Sequence, residues 1–298
     1  MTADHDERQV QAEVSAPPRG PPPAHAEPDP PPYDPWLAVP DNALLPPPPA
    51  LREERSPAAN ASYDDAASGH AWCRANPIWD PRRHNQETLA RSQAGHIHLT
   101  SPPRSQHVTI GSGRQRLTHV KTTAACADTI LLSDVPLFIP SAATSPPNQQ
   151  AKTIYFELHV THMGSSGEGD AGIAIGFLAP PYPSWRLPGW HRASLGVHGD
   201  DGRRYVDDSW GGRNFVHPFR PGDVVGLGMK FGSRIEVFFT RNGRGEAGWD
   251  LHEERDSQAE EGDVFGLEGK HDLLAAVGVF GDVEFEVCFE RNGWMFRP

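Results

Sequence analysis

The chain has 298 residues and a formal net charge of −12, with 31 Pro, 8 Trp, 13 Phe and 37% hydrophobic residues. An acidic balance of this size argues against nucleic acid as the main partner, because phosphate backbones are held by clustered Lys and Arg. No apolar run approaches the ~18 residues of a bilayer span, and the start MTADHDERQ lacks the basic and apolar regions of a secretory signal. A cytoplasmic, soluble protein with no membrane span is therefore expected.

Residues 1–68 carry APPRGPPP, PDPPPYDP and LLPPPPA without hydrophobic period. Such a stretch cannot bury enough apolar surface to offset its ordering entropy, so a disordered tail with polyproline II character is expected. Inside it, Pro30, Pro31 and Tyr33 match PPxY, a ligand of WW domains. The prolines would lie in an aromatic groove and the Tyr33 ring in a neighbouring pocket, and a preformed polyproline helix loses little entropy on docking. A Pro-rich tail can also meet a tyrosine by chance. The lysines Lys121, Lys152, Lys230 and Lys270 all lie beyond residue 120, which leaves none beside Tyr33 to be modified and suits an adaptor; an Arg-biased composition explains the same fact.

Residues 69–150 bring large apolar groups, His70-Ala71-Trp72-Cys73 and Trp79, then a short helix predicted over Glu87 to Ala94 and β-like pieces at His96–Leu99, His107–Ile110 and Leu117–Lys121. This segment reads as an N-terminal extension packed on the main domain. Its histidines His84, His96, His98, His107 and His119 lack ligand-like pairing with Cys or carboxylates, so no metal site is expected. Cys73, Cys126 and Cys288 are odd in number and far apart, which favours buried free thiols over a disulfide framework.

From residue 151 to 298 the sequence alternates with the period of half-buried strands. Ile154, Phe156, Leu158 and Val160 share a face; so do Ile173, Ile175 and Phe177, and Val225, Leu227, Met229 and Phe231. Ile235, Val237 and Phe239 lead into Arg241-Asn242-Gly243, whose Asn-Gly predicts a tight hairpin. Val277 and Val279 precede Val283, Phe285, Val287 and Phe289, which alternate with Glu284, Glu286, Cys288 and Glu290. Strands in this number without intervening helices predict an all-β fold, an antiparallel two-sheet β-sandwich.

Between the strands stand Arg186-Leu187-Pro188-Gly189-Trp190, His198-Gly199-Asp200-Asp201-Gly202, Arg204-Tyr205, Pro221-Gly222-Asp223-Val224-Val225-Gly226 and Phe239-Thr240-Arg241-Asn242-Gly243. In this order they resemble the successive motifs of a SPRY domain, in particular the Ran-binding-protein class and the fungal SPRY adaptors of WW-domain HECT ubiquitin ligases. The resemblance spans roughly Ala151 to Phe289. It implies a concanavalin-like sandwich without catalytic activity or cofactor, whose edge loops hold a protein or peptide cargo, and a PPxY motif that recruits the ligase for ubiquitin-dependent sorting at endosome or vacuole. Those adaptors carry a transmembrane anchor before the PPxY, which this sequence lacks.

Trp185, Arg186, Trp190, His191, Arg192, Tyr205, Trp210 and Arg213 are the candidate contact residues, since Trp, Tyr and Arg dominate interface hot spots. The competing reading gives Trp190 and Asp201 a role in shaping the loops, and Trp185, Trp210 and Arg213, outside the shared motif, the contact role. Two readings of other kinds stand beside this one: a lectin-like carbohydrate binder or glucanase, and a scaffold subunit of a multi-subunit ligase. The acidic residues sit in turns or on the outer face of the last strand, no Gly-x-Ser-x-Gly elbow or phosphate loop occurs, and Asp200-Asp201 and Asp207-Asp208 lack calcium-loop spacing.

Overall fold

The computed structural model describes residues 62–103, 105–113, 117–140, 152–164, 171–253 and 262–298, all within one compact unit. Pro30, Pro31 and Tyr33 lie outside the described residues.

Two antiparallel seven-stranded sheets are stacked face to face. The first runs β1 (Leu99–Thr100), β4 (Thr129–Ser133), β13 (Leu274–Phe280), β6 (Gly172–Leu178), β7 (Ser194–His198), β8 (Arg203–Val206), β9 (Arg213–Asn214). The second runs β12 (Arg244–Asp250), β11 (Ile235–Arg241), β10 (Val224–Phe231), β5 (Lys152–Met163), β14 (Val283–Cys288), β3 (Thr118–Thr122), β2 (Val108–Ser112). The alternating apolar residues close the space between them. Phe156 on β5 meets Phe177 on β6 edge to face at 5.5 Å and stacks on Phe289 at 5.4 Å. Each such ring contributes about 1.5–3 kcal/mol by burial. Between β11 and β12 the turn forms as expected, with Asn242 and Gly243 at φ of 51° and 76°, the left-handed pair a tight hairpin requires.

Two features depart from the sequence reading. The segment expected as an extension supplies four strands, β1 to β4, hydrogen-bonded into both sheets. The run assigned to the tail up to residue 68 already contains the start of a helix, α1 (Tyr63–Ala75), capped by Ser62. A second helix, α2 (Gln86–Ala94), covers the predicted Glu87 to Ala94 and ends at Gly95 in the left-handed conformation.

Both outer faces of the sandwich are covered, which is why Ala174, Gly176, Gly226 and Gly228 are buried although they alternate with the core residues. Over the first sheet lies the loop Pro180–Arg192. A Cβ added to Gly176, Gly196 or Gly278 would come within 2.6, 2.5 and 2.8 Å of Pro188, so three glycines make the trough in which that proline sits. Over the second sheet lie Tyr155 and Phe238 with the C-terminal residues Trp294 and Phe296.

Candidate protein-interaction site

The loop from Pro180 to Arg192 is held from beneath by its own hydrogen bonds. The Tyr182 hydroxyl donates to the Leu187 carbonyl at 2.7 Å and accepts from the His191 amide at 3.1 Å. Ser194 Oγ donates to the His191 carbonyl at 2.6 Å and accepts from the Gly189 amide at 2.9 Å. His198 Nε2 donates to the Pro188 carbonyl at 2.9 Å, and Tyr205 stacks on the same imidazole at 4.0 Å while its hydroxyl donates to Asp201 at 2.7 Å. Asp201 also accepts from the Arg203 amide at 2.8 Å, fixing the turn at Gly202. Gly189, at φ 94°, is where the loop touches Tyr205: a Cβ there would lie 2.6 Å from the Tyr205 carbonyl.

Four of the eight candidate contact residues belong to this support rather than to the surface. Arg186, Trp190, His191 and Tyr205 are buried, Arg186 at 1% exposure. Their burial corrects the expectation of direct partner contact at these positions, because a side chain closed off by its own loop cannot reach a partner without rearrangement. Arg186 lies over the Trp190 ring at 4.2 Å and donates through Nε to His191 Nε2 at 2.9 Å, which places the His191 proton on Nδ1. Burial, then the neighbouring Arg186 charge, pull His191 down to about 2, so it is neutral. Arg186 Nη1 and Nη2 and His191 Nδ1 are buried and have no hydrogen-bond partner among the described residues.

Carboxylates around this loop are also displaced. Burial, followed by the Asp201 charge, raises Asp200 to about 7, and burial raises Asp128 to about 6 against the opposing pull of Arg186. Cys73 is pushed up to about 11 by burial, so its thiol stays protonated. His198 and His70 are pulled down by burial. Burial thus favours the neutral form of each of these imidazoles and of the thiol. Among the described residues no cluster of three His, Cys, Asp or Glu could hold a metal ion, and no helix is long and apolar enough to cross a membrane.

The remaining four candidates face outward or flank the loop. Trp185 is 37% exposed and Trp210 51% exposed, and Arg213 is exposed on β9. The Trp210 and Gly211 amides donate to Asp208 Oδ1 at 2.8 and 3.2 Å, a local turn that projects the Trp210 indole. Arg192 is half-buried and turns toward α1, donating to the carbonyls of Cys73 and Asn76 at that helix's C-terminal end, where cations are favoured.

Sequence reading missed α1 itself, which lies against these loops. Gly69 packs on the His191 ring, His70 meets that ring edge to face at 4.5 Å and contacts Ser209 at 3.1 Å, Trp72 meets Trp185 at 6.3 Å, and Tyr63 meets Trp210 at 5.4 Å. The signal was present: Ser62 and Asp65 hold the spacing of a capping box, and the Ser62 hydroxyl accepts from the Asp65 amide at 3.2 Å.

Stacked sheets with a braced loop system and outward tryptophans at one rim define a binding module. Residues 153–265 match the family model described as SPRY domain. The chain is 40% identical over 101 residues to a Ran-binding protein M homolog of Arabidopsis thaliana, which covers 34% of this chain and 20% of that protein. It is 32% identical over 124 residues to Protein ssh4 of Sclerotinia sclerotiorum, covering 42% of this chain and 20% of that one. The chain thus spans about a fifth of the length of these relatives. A crystal structure of a human SPRY domain is similar at 20% identity and a TM-score of 0.42, covering 61% of this chain and 96% of that one.

Proposed function

We propose that the chain is a non-enzymatic adaptor: the SPRY rim selects a cargo protein, and Pro30, Pro31 and Tyr33 bring a WW-domain HECT ubiquitin ligase to it, for ubiquitin-dependent sorting or degradation in the cytoplasm or at the endosomal or vacuolar membrane. One observation carries the reading, a PPxY motif upstream of a SPRY domain in the same chain. Outward Trp185, Trp210 and Arg213 supply aromatic and guanidinium groups of the kind that anchor interfaces. Two weak contacts on one chain raise the local concentration of ligase near cargo without any rigid geometry between them.

Titration of the full chain with purified WW domains tests the ligase arm. Tyr33→Ala removes the ring that fills the WW pocket, and affinity should fall by roughly a hundredfold, equivalent to two steps of about 1.4 kcal/mol. Equal binding by wild type and variant overturns that arm.

A further inference from the structure

We infer that the rim surface beneath α1 is a helix-accepting interaction face, closed in this chain by α1 itself, and that its partner is a short helical segment with small residues set between two aromatic ends. This rests on the reading of the rim as the cargo site and names the kind of cargo segment that fits it.

The occupant shows what the face takes. Of the thirteen residues of α1, Ala66, Gly69 and Cys73 are buried, a small-residue stripe on one side of the helix that lets its backbone come down on the loop. The approach is closest at Gly69, where a Cβ would lie 2.1 Å from His191 Nε2. At either end an aromatic side chain meets one of the two outward tryptophans, Tyr63 on Trp210 and Trp72 on Trp185. The seat is therefore a saddle: a flat centre formed by His191, with an indole at each end.

Three features make α1 a displaceable occupant rather than part of the sandwich. First, a helix of this length is marginal in water by itself, so its order depends on docking. Second, the chain that follows is anchored independently: the Trp79 amide donates to the Pro180 carbonyl at 2.9 Å, and His84 pairs with Asp272 at 2.7 Å. Asn76-Pro77 lies between the helix and those anchors, so α1 can lift without disturbing the strands once Arg192 releases the Cys73 and Asn76 carbonyls. Third, the closed form leaves two buried guanidinium nitrogens of Arg186 without a partner among the described residues, whereas the large majority of buried polar groups in settled cores are paired. Tethering gives α1 a high effective concentration over the seat, so weak contacts suffice to hold it until a better helix competes.

The test uses the full chain, the Gly69→Val variant, and a labelled synthetic peptide of residues 62–76. Valine at 69 cannot approach His191, so backbone amides of α1 should exchange roughly tenfold faster while β5 and β10 keep their protection. The peptide should bind the variant roughly tenfold more tightly than wild type, because the seat is vacated. A second variant, Tyr63→Ala with His70→Ala, removes contacts without adding bulk and should move both readouts the same way. Faster exchange of β5 and β10 together with α1 in both variants overturns the inference, since α1 is then part of the fold; so does peptide binding that is equal in wild type and both variants. If the peptide seats as expected but Trp210→Ala leaves cargo retention unchanged, the cargo reading of the rim fails and the helix seat stands.

Discussion

The two outer faces of the sandwich are covered in opposite ways. On the second sheet, buried Glu157 accepts from the Tyr155 hydroxyl at 2.8 Å and from the Met295 and Phe296 amides at 2.8 and 2.9 Å, while Tyr155 meets Trp294 edge to face at 4.9 Å. Burial pushes Glu157 up, but the nearby His159 imidazole and the hydrogen bonds from the Phe296 and Met295 amides outweigh it and leave its carboxyl below the usual range. On the first sheet, Arg186 and His191 of the Pro180–Arg192 loop are buried with polar atoms that have no hydrogen-bond partner among the described residues. A carboxylate with both oxygens satisfied acts as a clasp, whereas the cover of the first sheet leaves both Nη atoms of Arg186 unpaired among the described residues.

The comparison is broken most directly at the clasp. Glu157→Ala removes the acceptor for one hydroxyl and two amides, and should cost about 3 kcal/mol because those donors stay buried. Urea unfolding measures the loss, and a change below about 1 kcal/mol would remove the distinction between the two faces.

A smaller effect separates them by pH. Unfolded His191 takes up a proton below about 6.5, but the folded residue stays neutral down to about 2, so falling pH stabilises the unfolded chain. From pH 7.5 to pH 5 this residue withdraws about 2 kcal/mol. Asp200 and Asp128, raised by burial, work the other way: the folded state holds their protons at higher pH than the unfolded state does, so their contribution grows as pH falls. The His191 share is therefore read as a difference, with His191→Gln showing a shallower loss than wild type between these pH values in denaturant titrations. Parallel pH curves would mean that the imidazole is not buried neutral.

How far the sequence disclosed this arrangement differs between core and rim. The alternation in β5, β10, β11 and β14 was readable because large branched and aromatic residues occupy every second position. Coverage of the outer faces was not, since Gly176 and Gly226 look the same whether they face water, a proline or a tyrosine ring. For the same reason the alternation of Leu195 and Val197 with Ser194, Gly196 and His198 in β7 (Ser194–His198) gives no sign that both of its faces are buried. In the loop, residue type marked the candidate contact side chains and membership of the shared motif already set Trp190 apart from Trp210; the fold adds that Trp190 is buried against Leu187 and Tyr205 while the turn at Asp208 projects Trp210 outward. The helix α1 was hidden by its composition: small residues on its docking side leave no apolar period to detect.

The central claim, that the rim binds protein through outward side chains while its buried residues only brace it, is tested most directly by Trp210→Ala combined with Arg213→Ala in the full chain. Proteins retained from cell extract by wild type and variant are compared by quantitative mass spectrometry alongside unfolding midpoints. Exposed positions away from caps and cores shift stability by no more than about 0.5 kcal/mol, so the variant should unfold as wild type does while losing its specific partners roughly tenfold. An unchanged set of retained proteins, or destabilisation as large as that of Glu157→Ala, would contradict the account.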